Sequence, residues 1–506
     1  MNKYVIRLEK EDNVVIARHP LEKGLYIEEE DLTLLEDIPA GYKCAARDLK
    51  KGEEIRKYNT VIGYASRDIK KGEMIHNHND EFDARGVDYA YGADCHPVDY
   101  VPEGQRRTFM GIKRPDGRVA TRNYIGVLVC SNCAATVARK ISEYFNEERM
   151  KEYPNVDGVV PFITELGCGM EQSGEPLALL QRTIAGYIRN PNMGAAVLVA
   201  LGCERNNIDR LLEEQKLVPN ALLKRMVIQE EGGTKVSIER GIEMVKEMLP
   251  VVNNVKREPC SAEHLLVALE CGGSDGFSGL SANPGLGKAM DILVRNGGSC
   301  IHSETTEIFG AEHILTRRAV SPEVGQKLVK RLDWWLKQTE GRDCQINGKV
   351  SPGNNKGGLT NVLEKSLGGV KKSGTTPMTE VYEYAYPVTT KGVCFMDTPG
   401  YDPIATTGQI AGGANLVCFT TGRGSCFGSV LAPVIKLASN TPLYQRMEGD
   451  MDINCGVVID GEQDLEQLGA YIFEQILEVA SGRKTKSEEL GVGESEFTPW
   501  PIGVFA

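Results

Sequence analysis

The chain has 506 residues, 41% of them apolar and 25% charged, with a formal net charge of −12; length and balance suit a soluble globular protein of about two to four domains. The acidity argues against a nucleic-acid partner, which needs a basic face, and against an anionic membrane surface. No signal-length apolar segment opens the chain and no run of about 18 apolar residues occurs, so a cytoplasmic location is expected, with the 14 cysteines reduced.

The first stretch carries a repeat. "DLKKGEEI" at 48–55 returns as "DIKKGEMI" at 68–75, and "LEKG" at 21–24 is a fainter copy. Each unit reads as a short extended segment closed by a Lys-Gly turn, where glycine supplies a positive φ. Valine, isoleucine and tyrosine between the turns predict short strands, hence a small all-β domain over 1–80. Residues 81–106 are polar and lack periodicity, so they are read as a linker.

From 107 onward the pattern changes. "NYIGVLVCSNC" is a buried-strand run and "AATVARKISEYFNEE" has helical spacing; "NVDGVVPFITELGCG", "EPLALLQRTIAGYIRNP" and "AAVLVALGCE" continue the alternation. Strands alternating with helices predict an α/β fold with parallel sheets and helices packed on them. "KREPCSAEH" at 256–264 reads as a junction between α/β parts over 107–255 and 256–506. In the second part "HLLVALECGGSDG", "SCIHSETTEIFG", "GVCFMDTPGYDP" and "ANLVCFTTGRGSCFG" are strands closed by loops. Ligands of open α/β sheets bind beyond the carboxyl ends of the strands, where such loops lie.

Four apolar runs end near a cysteine: Cys133, Cys168, Cys203 and Cys271. If the strands are neighbours, the thiols converge, and thiolates bind soft or borderline metals and iron–sulfur clusters. Adjacent glycines let backbone approach such a ligand. Cysteine is also common at buried strand ends without any role, and the wide spacing matches no compact zinc motif. Carboxylates gather in the same loops: Glu304 and Glu307 in "SETTEIFGAEH", Asp275 beside Ser274, Asp397 and Asp402 in "MDTPGYD", and Asp452. Paired carboxylates hold a divalent ion or act as acid and base, while single ones often cap helices. Arg423, between two glycines, suits bidentate recognition of a carboxylate or a structural ion pair. His76 and His78 in "IHNHN" read as a metal pair or a polar tail; beside a linker they would allow the β-domain to act as a lid. "SPGNNKGG" lacks the order of a phosphate-binding loop and is read as an ordered loop over a site.

On the segments "IPAGYKCA", "DGRVATRNYIG", "LGCE", "CGGSDGFSGLSANP", "SETTEIFGAEH", "SPGNNKGGLTNVLEKSLG" and "FTTGRGSCFG" the chain resembles the altronate/galactarate dehydratase family over its whole length. The resemblance implies an N-terminal SAF (β-clip) domain, a second domain and a C-terminal Rossmann-like domain with unusual connections. It implies dehydration of a sugar acid to a 2-keto-3-deoxy acid with iron(II) or a similar divalent metal such as manganese, and a homodimer through the middle domain. Cys133, Cys168, Cys203, Cys271, Glu304, Glu307, Asp275, Asn283, Arg423 and Asp452 fall in matching segments. His76 and His78 match the altronate branch, whereas "SNCAATVARKI" and "MDINCG" read closer to the galactarate branch.

The resulting expectation assigns iron to the four cysteines, with or without Glu304 or Glu307, as a mononuclear ion or a [4Fe–4S] cluster with one open iron. Arg423 is expected to grip the substrate carboxylate, with Ser274, Asp275 and Asn283 as further substrate contacts, and His76 or His78 to relay a proton. Two other classes stay open: a related lyase acting on another small hydroxy acid such as sulfolactate, and a sugar-acid-binding protein without turnover.

Overall fold

A computed structural model describes residues 3–82, 88–342, 346 and 350–502. Part of the expected linker, 83–87, lies outside the described residues.

The N-terminal repeat builds its own clasp. Asp68 Oδ1 accepts from the Lys51 N–H at 2.9 Å, and Asp48 Oδ1 accepts from the Lys71 N–H at 2.8 Å. Leu49 and Ile69 bridge between the copies, so each repeat caps the turn of the other. The two Lys-Gly turns place Gly52 and Gly72 at φ +82° and +86°, conformations that glycine adopts without penalty. Around the clasp, Val5–Ile6, Val14–Ala17, Lys43–Ala45 and Met74–Ile75 form an antiparallel sheet, and Glu54–Lys57, Thr60–Ala65 and Asp80–Glu81 form another.

Residues 88–106 are mostly irregular, as expected, yet they are pinned: Asp94 pairs with Arg317 at 2.6 Å and Arg106 N–ε donates to Val101 O at 3.2 Å. The middle part is a parallel sheet in the order Gly158–Phe162, Tyr124–Val129, Met193–Ala200, Leu223–Val227. The 256–264 stretch, read as a junction, contains a strand, Arg257–Ser261, that pairs antiparallel with Thr108–Lys113. Its alternation was hidden by Pro259 and two charged residues on a half-exposed edge.

The C-terminal sheet has seven strands, all parallel. Leu266–Cys271 is central, flanked by Ser299–His302 on one side and Leu416–Thr421 on the other. Chain order reverses direction across this strand, so its carboxyl end is the switch point at which loops part and leave a crevice. The strand is buried along nearly its whole length, which explains its continuous apolar run. Met378–Tyr382, an edge strand with polar residues, was not evident from the sequence. No helix among the described residues is long and apolar enough to cross a membrane.

The glycine-rich run after Cys271 is where the β-domain docks. A Cβ at Gly276 would lie 2.1 Å from Gly41 O, and one at Gly279 would lie 2.5 Å from the Tyr58 hydroxyl. Beside it a buried ion triad crosses the interface: Lys43 and Lys57 each place Nζ 2.8 Å from Glu364.

Candidate active site

Cys271 ends the central strand, and two side chains from the neighbouring strand's loop reach it. Its Sγ lies 3.5 Å from Glu304 Oε2 and 3.7 Å from Glu307 Oε2. Among the described residues this is the one group that brings three metal-ligand atoms within 4.8 Å of one another. Glu304 holds a left-handed backbone, φ +65°; a non-glycine residue there is strained and persists where its surroundings enforce it. The Thr398 hydroxyl accepts from its N–H at 2.8 Å, and Thr305, next in the chain, donates to Asp397 at 2.6 Å.

Two lysines complete the group. Lys372 Nζ donates to Cys271 Sγ at 3.3 Å and contacts the Glu304 carboxylate directly. Burial would lower its pKa, but Cys271, Glu304 and Glu270 surround it and hold the ammonium well above its ordinary range. Lys365 Nζ pairs with Glu307 Oε1 at 2.5 Å. Burial pushes the Cys271 thiol and the Glu270 carboxyl well up. One oxygen of Glu304 and one of Glu270 are buried without a hydrogen-bond partner.

A cavity of about 450 Å³ opens on this group, lined among others by Cys271, Glu307, Lys365, Asp402 and Arg423, with a size in the range of small-ligand sites. The loop expected over a site is there: Ser351, Gly353 and Asn354 form part of the wall, and Asn354 is tied to Ser274 O at 2.8 Å. Asp402 is pushed up to about 7, first by burial and then by the charges of Glu304 and Glu307. Gly272 permits its approach, since a Cβ there would lie 2.4 Å from Asp402 Oδ2. Arg423 is exposed and its guanidinium has no hydrogen-bond or ion-pair partner among the described residues. It also lines a second cavity of about 680 Å³ at the seam with the β-domain.

Cys271, Glu307, Asp402 and Arg423 line one cavity, and Glu304 is buried against Cys271 beside it; the other expected residues lie elsewhere. Asp275 is buried and organises its loop, accepting from Ser278 N at 2.8 Å, Ser439 Oγ at 2.8 Å and Asn440 Nδ2 at 3.0 Å. Asn283 bonds Gly368 O at 3.1 Å and Thr420 Oγ1 at 2.6 Å inside the core. Ser274 is buried, and its carbonyl rather than its hydroxyl makes the bond to Asn354. His76 stacks on Tyr42 with ring centroids 5.0 Å apart and bonds Asn355 O at 3.1 Å, so it docks the β-domain onto the 351–358 loop; His78 is exposed. Cys133, Cys168 and Cys203 are exposed at the end of the middle sheet and do not line the Cys271 cavity. The four thiols thus divide into one and three, because their strands belong to two different sheets. No residue pattern marks Lys365 and Lys372 in the sequence. Each lies in a helical, glycine-flanked stretch where a lysine ordinarily faces solvent.

Family comparisons agree along the chain. Residues 3–82 match the altronate/galactarate dehydratase SAF domain, 111–253 the second domain of D-galactarate dehydratase/altronate hydrolase, and 262–505 the D-galactarate/altronate dehydratase C-terminal domain. Galactarate dehydratase (L-threo-forming) of Escherichia coli is 35% identical, over 99% of this chain and 97% of that protein. Altronate dehydratase of Bacillus subtilis is 34% identical, over 96% and 97%. The beta subunit of (2R)-sulfolactate sulfo-lyase of Chromohalobacter salexigens is 29% identical, over 78% of this chain and 97% of its own length.

Proposed function

This chain belongs to the altronate/galactarate dehydratase family of hydro-lyases, and on that premise we propose that it removes water from a sugar acid of the altronate or galactarate type, leaving a 2-keto-3-deoxy acid, in the cavity at Cys271. The observation that supports this reading is the group itself: a thiol and two carboxylates within 4.8 Å at the end of the central strand, backed by Lys372 and Lys365. Arg423, whose guanidinium has no partner among the described residues, lines the same cavity.

The donor set fits a borderline divalent ion such as iron(II) or manganese(II), because it mixes sulfur with oxygen and leaves a buried Glu304 oxygen without a partner. Cys271, Glu304 and Glu307 would hold such an ion, whose charge would favour loss of the proton beside the substrate carboxylate by offsetting the negative charge that develops.

The chain's own residues supply the rest. Arg423 orients the substrate by its carboxylate, a bidentate match. The Lys365 ammonium lines the cavity and neutralises Glu307. Asp402, poised near 7, takes the proton from the carbon next to that carboxylate and passes it to the departing 3-hydroxyl, which leaves as water. Lys372, behind the wall, neutralises Glu304 and keeps the clustered acidic groups from repelling one another. The enol then tautomerises to the keto acid.

The test is an anaerobic assay with Fe(II) and a reductant against altronate, galactarate and (2R)-sulfolactate, following 2-keto acid and sulfite. Keto acid formed from one of the sugar acids supports the proposal. Sulfite release alone, or no turnover with any of the three, rejects it.

A further inference from the structure

The larger cavity, about 680 Å³, lies where the β-domain meets the C-terminal domain. Its floor is apolar and comes from both sides: Phe277 and Ile459 line it and pack in one buried cluster with Ile16 of the β-domain. Its walls are cationic. Lys3 and Arg18 come from the β-domain, and Lys356, Arg423 and Arg446 come from the C-terminal domain.

Local structure sets each cation in place. Arg18 follows the buried strand Val14–Ala17, and its N–H donates to Tyr4 O at 3.0 Å. Lys356 ends the short helix Pro352–Lys356, and the Tyr42 hydroxyl of the β-domain donates to Asn355 O at 3.2 Å and Lys356 O at 3.3 Å. Arg423 N–H donates to Gly273 O at 2.9 Å. Arg446 closes the helix Thr441–Arg446, which Asn440 caps by accepting from Leu443 N–H at 2.9 Å.

The chain carries a net charge of −12, yet none of these five cations makes an ion pair among the described residues. Buried cations elsewhere are matched: Lys43 and Lys57 by Glu364, and Arg122 by Glu488. Arg18 is the most confined of the five. Its Nη1 contacts Ile459 O, while its Nε is buried without a hydrogen-bond partner. Two carboxylates line the same cavity. Asp275 is already taken up by Ser278, Ser439 and Asn440, and Asp460 accepts from the Thr441 hydroxyl. Five cations therefore converge against two occupied carboxylates. A partly enclosed surface of one sign concentrates counter-ions. Guanidinium groups match carboxylate and phosphate oxygens in pairs, and ammonium groups add point charge. The volume is in the range of small-ligand sites.

We propose that the seam cavity binds a small polyanion carrying two or more carboxylate or phosphate groups, which bridges Arg18 of the β-domain to Lys356 and Arg446 of the C-terminal domain. This does not depend on the dehydratase reading of the Cys271 cavity. Isothermal titration calorimetry of the full-length protein with citrate and with pyrophosphate tests it, at fixed ionic strength and without added metal. Acetate is the control with a single charge. Citrate or pyrophosphate is expected to bind at one site per chain, roughly 10-fold or more tighter than acetate. Arg18→Gln and Arg446→Gln should each weaken that binding by about 10-fold or more, as for loss of a hydrogen bond between charged groups. Arg446 is exposed, so its variant should keep the wild-type melting temperature. Cys271→Ala should leave the affinity unchanged. Binding of citrate alone supports the site and makes its ligand a polycarboxylate; binding of pyrophosphate alone supports it and makes the ligand a phosphate ester. No binding by either anion, an affinity no better than that of acetate, or an affinity unchanged in both arginine variants overturns the site. Affinity lost in Cys271→Ala but kept in the arginine variants also overturns it, and leaves the dehydratase proposal to its own assay.

Discussion

Lys372 Nζ lies 3.3 Å from the Sγ of Cys271, a residue 101 positions earlier in the chain. With Glu304 on its other side it is the internal counter-charge of the donor group. A bound divalent ion would take over that task. Lys372→Met is therefore expected to destabilise the metal-free protein by about 3–5 kcal/mol, the usual consequence of leaving one partner of a buried ion pair alone. Added Mn(II) should raise the melting temperature of the variant more than that of the wild type. Thermal unfolding with and without Mn(II) checks this, and equal shifts in the two proteins would count against Cys271, Glu304 and Glu307 as ligands.

Arg423 lines the cavity with no guanidinium partner among the described residues, so on the proposed reading its removal deletes a substrate contact without stranding a described carboxylate. Arg423→Ala is expected to raise KM by roughly 10–100-fold, the range of a hydrogen bond to a charged group, with melting temperature unchanged. Arg423→Lys should recover only part of the loss, because an ammonium cannot match a carboxylate with two parallel bonds. Steady-state kinetics on the preferred acid decide the matter; an unchanged KM removes Arg423 from substrate binding.

Glu364 joins the β-domain to the C-terminal domain through Lys43 and Lys57. Burial alone would raise its pKa, but Lys43 and Lys57 overcome that and hold the carboxylate far below the usual range. A depressed carboxyl stabilises the fold above its unfolded pKa of about 4.3, and that contribution is lost as pH falls from there through the folded value. Glu364→Gln is expected to cost about 3–5 kcal/mol at neutral pH and to flatten the acid limb of the stability curve. Denaturant unfolding from neutral pH down to about 3 tests the sign; a variant as acid-sensitive as the wild type would show that the triad is not linked to folding.

His76 carries a pH dependence of opposite chemistry. Its burial, reinforced by the nearby Lys43, lowers its pKa. A lowered histidine favours the fold above its unfolded value of about 6.5 and loses that contribution as pH falls below it. Hydrogen exchange at the Tyr42 and 351–358 contact should speed up as the solution is acidified through that range, and the change should be absent in His76→Gln. If the variant and the wild type respond alike, other groups control docking.

Several features were legible early because they are local. Alternating apolar runs and helical spacings marked the parallel sheets, and the Lys-Gly repeats marked the β-domain with its turn glycines. Met378–Tyr382 escaped because an edge strand needs no continuous apolar run. Asp275 and Asn283 read as substrate contacts because a polar residue in a glycine-rich loop has the same signature whether it faces a ligand or holds the loop. Their hydrogen bonds, to Ser439 and Gly368, lie 164 and 85 residues away.

The amino-acid order alone determined the family and the α/β class and put Cys271, Glu304, Glu307 and Arg423 just after strands, since each rests on short contiguous patterns. Only the tertiary structure decided that Lys365 and Lys372 complete the Cys271 site, that the remaining three cysteines gather on another sheet, and that His76 clasps a loop. The reason is physical: which charge is paired and which thiol is buried depends on how deeply distant loops are drawn over a strand end, and desolvation is a property of the packed molecule rather than of any stretch of chain.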